Sequence, residues 1–216
     1  MLNDFRLRRK LPSLKTKGKG NVTPEDVEAR PLTPDRWDDF ATLFGPQGAC
    51  YGCWCTYFRV SAKERQAMNA DARRMFMHGR VAQGPPPGLL GYRGGQAIAW
   101  VQVGPRADLP QWNSPKTVSR PLAPEDATDP AVWAVSCFYM PRAERGKGMS
   151  HRMLAQAIAF ARDNAARVLE ACPIDRTKQS KSIGLYVGST RVFEAAGFAE
   201  VARRKDGRPL MRLELR

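Results

Sequence analysis

Residues 131–171 constrain the fold more than any other part of this 216-residue chain. Ala131 to Met140 reads AVWAVSCFYM, a nearly continuous apolar run. A strand with one wet face alternates apolar and polar residues, so this run predicts a strand buried on both faces. A glycine-bearing turn follows, Arg145-Gly146-Lys147-Gly148. Then Met149, Met153, Leu154, Ala157, Ile158 and Ala161 recur at spacings of three and four. That period predicts an amphipathic helix. Val168 to Ala171 reads as a second buried strand, ended by Cys172-Pro173.

The flanking segments supply further elements. Val27 to Leu32 predicts a short strand, which Pro31 confines to an edge or an end. Thr33-Pro34-Asp35 predicts a helix start; Trp37, Phe40, Ala41 and Phe44 share one face, and Gly45-Pro46 stops the helix. Ser61-Ala62-Lys63-Glu64 has the form of a capping box and predicts one helix to Gly79 or Gly84, with Met68, Met75 and Phe76 buried. Leu89–Tyr92 and Ala97–Val103, joined by Gly94-Gly95, predict a hairpin. Residues 104–130 hold several prolines and little periodicity, and predict a long loop. Ser189 to Ala196 predicts a helix ended by Gly197, and Phe198–Arg204 with Leu210–Leu215 predicts a closing hairpin. The whole is an α/β (α+β) chain in one domain, residues 27–216, behind a basic flexible tail at 1–26.

The tail carries much of the charge. The chain has 35 Lys+Arg against 21 Asp+Glu, a net +14. Residues 1–20 hold seven bases and only Asp4 as an acid. Such a balance points to polyanions: nucleic acid, acidic membranes or a phosphorylated cofactor. No apolar run reaches membrane-spanning length, and no apolar stretch follows the N-terminal charges as in a signal peptide. A soluble, cytoplasmic protein without a membrane partner is expected. Five cysteines are too few for a disulfide scaffold of this length.

The turn before the long helix carries the clearest chemistry. The first amides of a helix lack partners and present a partial positive charge to one spot. Glycines let an anion approach that backbone, and Arg145 and Lys147 add full charges. The stretch is not a Walker motif, which needs Gly-Lys-Ser/Thr four residues after its first glycine.

Arg145-Gly146-Lys147-Gly148-Met149-Ser150 resembles the Q/R-x-x-G-x-G/A signature of the GNAT N-acetyltransferase superfamily, with Ser150 where Gly or Ala is usual. Val192-Phe193-Glu194-Ala195-Ala196-Gly197-Phe198 resembles the L-Y-x-x-x-G-F segment of the same superfamily. The resemblance extends over residues 27–216, and a bacterial subgroup carries a similar Cys-Trp-Cys segment. It implies the GNAT fold: a mixed central sheet of about six or seven strands, two of them parallel and splayed, with about four helices. It also implies direct transfer of an acetyl group from acetyl-CoA to an amine of a small molecule. The cofactor-binding set would be Phe138, Tyr139 and Met140 on the strand, Arg145, Gly146, Lys147, Gly148, Met149 and Ser150 on the turn, and Ser189. No metal is expected.

An amine acceptor must lose a proton, and Glu170 is the first candidate base, Asp175 the second. The departing thiolate needs a proton. A tyrosine supplies it in many relatives, but Phe193 occupies that position here, which leaves Tyr186. Cys172 offers a covalent alternative. Cys50-Tyr51-Gly52-Cys53-Trp54-Cys55 has zinc-like spacing but only three local ligands, where a closed site needs four. The resemblance instead puts Tyr51, Cys53, Trp54, Cys55, Tyr57 and Arg59 near the acceptor site, with Tyr51, Trp54 and Tyr57 as the substrate-binding set. Two other classes stay in view: a non-catalytic acyl-CoA-binding or regulatory protein, and a nucleic-acid-associated protein acting through the tail. Nucleic acid is the less expected partner, and a homodimer is left open.

Overall fold

The computed structural model describes residues 27–175 and 185–215; the basic tail expected at 1–26 lies outside them. The apolar run forms β4 (Val132–Tyr139), the middle strand of a seven-stranded sheet. The order is β1-β2-β3-β4-β5-β7-β6, with β1 Glu28–Pro31, β2 Gly88–Arg93, β3 Gln96–Pro105, β5 Val168–Ala171, β6 Ala199–Arg203 and β7 Pro209–Glu214. Only β4 and β5 run parallel; the other neighbours are antiparallel. Pro31 sits on an edge strand, as its missing amide hydrogen requires.

Helices cover both faces. On one side, α5 (Met149–Asp163) buries Met149, Met153, Leu154, Ala157 and Ala161 against Ala99, Val101, Val135 and Leu169, with Phe193 of α6 (Thr190–Ala195) alongside. On the other, α1 (Trp37–Phe44) and α3 (Ala70–Gln83) pack Phe40, Phe44 and Met77 on Leu90 and Trp100. Consecutive strand residues face opposite ways, so Phe138 joins the first layer while Cys137 and Tyr139 face the second.

Two expectations are corrected. The helix from Ser61 is two helices. Its capping box forms, with Ser61 Oγ accepting from the Glu64 amide, but α2 (Ala62–Ala67) ends at Met68, which is extended at ψ 128°. Asn69 then caps α3, accepting from the Ala72 amide at 2.8 Å. The break resets the helical phase. Met75 and Phe76 consequently stay exposed, Met68 is half-buried, and Met77 and Val81 turn inward. Residues 104–130 are not a plain loop either. They include α4 (Pro110–Asn113) and short 3-10 turns, anchored by the fully buried Leu109 and Trp112.

Candidate active site

The parallel pair determines the site. β4 and β5 pair only from Val132↔Val168 to Val135↔Ala171. β5 then ends, while β4 continues through Ser136 to Tyr139, still paired to β3 on its other side. The edge of β4 beyond Val135 has therefore lost its strand partner. Beside this gap lies a cavity of about 630 Å³. Ser136, Cys137 and Tyr139 line it from β4; Ile174, Tyr186 and Val187 from across the gap; Cys50, Tyr51, Cys53, Cys55, Tyr57 and Phe58 from the segment between α1 and α2.

At the end of β4 the predicted turn has the geometry of an anion site. Gly146 and Gly148 adopt φ of 77° and 73°, where a side chain is strained. Arg145 to Gly148 are exposed, and no amide from Gly146 to Ser150 donates to a backbone carbonyl among the described residues. The turn is braced from below. Arg145 Nε donates to the Met140 carbonyl at 3.3 Å, and Arg152 Nη1 to that of Lys147 at 3.0 Å. Glu144 pairs with Arg93 at 2.7 Å and lies 3.7 Å from Lys147 Nζ; the hydrogen bond from Arg93 holds its carboxyl below the usual range. Met149 contributes only its amide to this surface, since its side chain is in the core. Ser189 precedes α6 and bridges to Ile174 in parallel, on the far side of the gap.

Other predicted residues are distributed unevenly. Tyr51, 96 % exposed with φ 56°, and Tyr57 line the cavity, the latter under the Arg65 guanidinium at 4.2 Å. Trp54 does not. It is buried, stacked between Trp37 at 6.3 Å and Phe44 at 5.9 Å, and belongs to the core. Tyr186 lines the cavity, and its hydroxyl is pushed up to about 12, first by its hydrogen bond with the Cys50 side chain and then by burial. It therefore keeps its proton at neutral pH. Phe193 is fully buried between Phe138 and Phe198, with ring centroids at 6.1 and 5.1 Å.

The base assignment to Glu170 is corrected. Its carboxylate is wholly buried and is absent from the cavity lining. Arg106 binds Oε2, and Arg212 binds Oε1 at 2.6 and 3.1 Å. Arg106 also donates to Asn113 Oδ1 and the Ser119 carbonyl, both at 2.8 Å, while Arg212 reaches Asp126 at 2.8 Å. A carboxylate saturated by two guanidiniums serves packing, not proton transfer. Asp175 faces Arg203 at 3.6 Å and is absent from the cavity wall. Cys172 is buried beside Leu109, Trp112 and Ala134, is absent from the cavity lining, and has its thiol pushed up by burial.

Sequence reasoning missed Gln102 and the lining arginines Arg65, Arg73 and Arg208. A β-bulge between Gln102 and Val103 aims Gln102 at the cavity, which no local pattern announces. Arg73 clamps the wall, donating to the carbonyls of Tyr51, Gly52 and Arg65 at 3.2, 3.3 and 2.9 Å. Among the described residues, no Asp or Glu lines the cavity. Among the described residues, no group of three or more His, Cys, Asp or Glu is arranged to hold a metal ion.

This architecture is that of the GNAT fold. The chain is similar to a GNAT-family acetyltransferase structure from Listeria monocytogenes, at a TM-score of 0.52 and 14 % identity over 92 % of this chain and all of that one. It is equally similar to a GCN5-related N-acetyltransferase from Kribbella flavida, at 0.52 and 14 % over 89 % and 100 %. A Salmonella typhimurium structure solved with its cofactor acetyl-CoA matches at 0.50 and 18 % over 88 % and 94 %. No protein-family model and no curated protein sequence matches the chain. Among the described residues, no helix is long and apolar enough to cross a membrane.

Proposed function

We propose that the chain is an acetyl-CoA-dependent N-acetyltransferase that moves an acetyl group directly to the amine of a small molecule. The observation that carries this reading is the parting of β4 from β5 beside a turn of unpartnered amides, with a cavity opening between them. When bound, acetyl-CoA would supply the activated acyl group.

This chain's residues have the following parts. The amides from Gly146 to Ser150, with the Arg145 and Lys147 side chains, hold a pyrophosphate. The free edge of β4 at Phe138, Tyr139 and Met140 accepts an extended arm as if it were another strand, and an edge amide steadies a developing oxyanion. Phe138 keeps that edge in place by packing on Phe193. Tyr186 holds a proton at its hydroxyl, where a departing sulfur needs one. Tyr51 and Tyr57 give the acceptor an aromatic wall, and Arg65, Arg73 and Arg208 give it positive surroundings with no facing carboxylate among the described residues.

Calorimetry with acetyl-CoA and a CoA-release assay over amine classes test the reading. Arg145→Ala with Gly148→Asp is expected to abolish acetyl-CoA binding, since a carboxylate then meets the pyrophosphate on a strained backbone. Unchanged binding would show the turn to be misassigned. Tight binding by the wild type without CoA release for any amine would favour the non-catalytic acyl-CoA-binding class, to which the buried Phe193 gives some weight.

A further inference from the structure

Four of the five cysteines, Cys50, Cys53, Cys55 and Cys137, line the cavity, and one of them differs from the rest. Trp100 Nε1 donates to Cys55 Sγ at 3.1 Å. The terminal amide of Gln102 lies 2.8 Å from the same sulfur. With its oxygen turned the other way, that amide accepts from Arg59 Nε at 2.7 Å and Nη2 at 3.2 Å. A guanidinium only donates, so the oxygen belongs to Arg59 and the amide nitrogen faces the sulfur. Cys137 is a further neighbour on β4, and its thiol donates to the Phe138 carbonyl at 3.7 Å. A thiol facing these two N–H donors gains no bond from its own proton, whereas a thiolate accepts from both.

Arg59 requires the same anion. Its side chain is 2 % exposed, and the nearest carboxylate, Asp108, stands 3.9 Å away and already pairs with Arg80 at 2.5 Å. Arg59 Nη2 reaches the Pro87 carbonyl, and Nη1 has no hydrogen-bond partner among the described residues. A buried cation so weakly paired is strongly unfavourable. A charge on Cys55, one amide away, answers it.

The groups facing Cys55 are Arg59, with Arg80 and Asp108 behind it, Cys50 and Cys53 on its own segment, and Cys137 on β4. Burial opposes ionisation of Cys55, but the bonds from Cys137 and Trp100 and the charge of Arg59 prevail and hold it below the ordinary thiol range. Cys137 is raised by that same contact, and Cys53 by burial.

We propose that Cys55 is a thiolate, the negative charge of this cavity, and takes the proton that an ammonium acceptor must lose. This rests on the acetyltransferase reading above. The N–H bond of the ammonium breaks and an S–H bond forms, while nitrogen keeps the electron pair and becomes a neutral amine. That pair then bonds the acyl carbon. The nitrogen's second lost proton balances the one taken up by the departing sulfur. Cys55 releases its proton to solvent and is again a thiolate.

Two measurements on the full chain decide the matter. The ultraviolet absorbance of thiolates, followed against pH, is expected to show a titration below about 8.5 that Cys55→Ser abolishes and Cys137→Ala moves upward. Cys55→Ser is also expected to lower kcat/KM at neutral pH by about 10²-fold or more without changing acetyl-CoA affinity. That deficit shrinks towards about pH 10, where the amine is already neutral. If Cys55→Ser fails to fold, Cys137→Ala carries the test, through an upward shift of the acid limb of the pH–rate profile. Four results would overturn the proposal: no such titration in the wild type, unchanged kcat/KM in Cys55→Ser, an equal loss at every pH, or mass-spectrometric acetylation of Cys55. If the wild type neither binds acetyl-CoA nor releases CoA, the base role falls with the acetyltransferase reading, while the titration still decides the anion.

Discussion

Glu170 is where a structural and a catalytic role predict opposite outcomes. Replacing it by alanine leaves Arg106, whose side chain has no exposure, with Asn113 Oδ1 and the Ser119 carbonyl but no counter-charge. Arg212 fares better, because Asp126 remains 2.8 Å away. Breaking one side of such a buried pair costs about 3–5 kcal/mol. For a domain of this size each kcal/mol moves Tm by about 2–4 °C, so Glu170→Ala should melt about 6–20 °C below the wild type. Glu170→Gln retains the shape and one acceptor oxygen, and should lose less. Scanning calorimetry gives the first quantity, and CoA release per folded molecule, well below the new Tm, gives the second. The folded fraction of Glu170→Gln should retain kcat. If it melts like the wild type yet loses kcat by about 10²-fold or more, the carboxylate is doing chemistry and the burial argument is wrong.

Other outcomes follow from the same reasoning. A Cβ at Gly48 would stand 2.1 Å from Trp54 Nε1, on a residue at φ +73°, and the stacked indole has nowhere to go. Gly48→Ala should therefore cost about 2–4 kcal/mol in urea unfolding. Asn69→Ala removes the cap of α3 and should cost about 1 kcal/mol, read as a lower urea midpoint at unchanged slope. Because Arg65, Arg73 and Arg208 line a cavity with no carboxylate among the described residues, spermidine should show kcat/KM about tenfold or more below an apolar amino acid, and added salt should narrow the gap.

Much of the frame was legible because it rests on local rules. The apolar run, the Gly94-Gly95 turn and the spacing from Met149 to Ala161 each prescribe an element without help from distant residues. The turn at Arg145–Gly148 was legible for the same reason, since a helix start and positive-φ glycines are local facts. Asn69 was a readable second cap, and overlooking it put Met75 and Phe76 on the wrong side. Glu170 was not legible. Its partner Arg106 is 64 residues away, and nothing near position 170 says that a guanidinium covers it. Trp54 misled because an aromatic residue between two cavity-lining cysteines looks like cavity wall. The positive φ of 45° at Trp54 instead accompanies an indole turned into the core. Gln102 becomes intelligible only when β3, β4 and the 50–59 segment meet.

The two faces of the sheet divide the labour. The anion-holding turn and α5 belong to the layer that includes Phe138, whereas the aromatic and sulfur-rich wall belongs to the layer that includes Cys137 and Tyr139. β4 takes part in both, as β2 and β3 do. Under the proposed acetyltransferase reading, residues 50–59 can thus vary, and with them the acceptor, while the turn proposed to hold the donor is left untouched. A chain built this way can change its customer without relearning its trade.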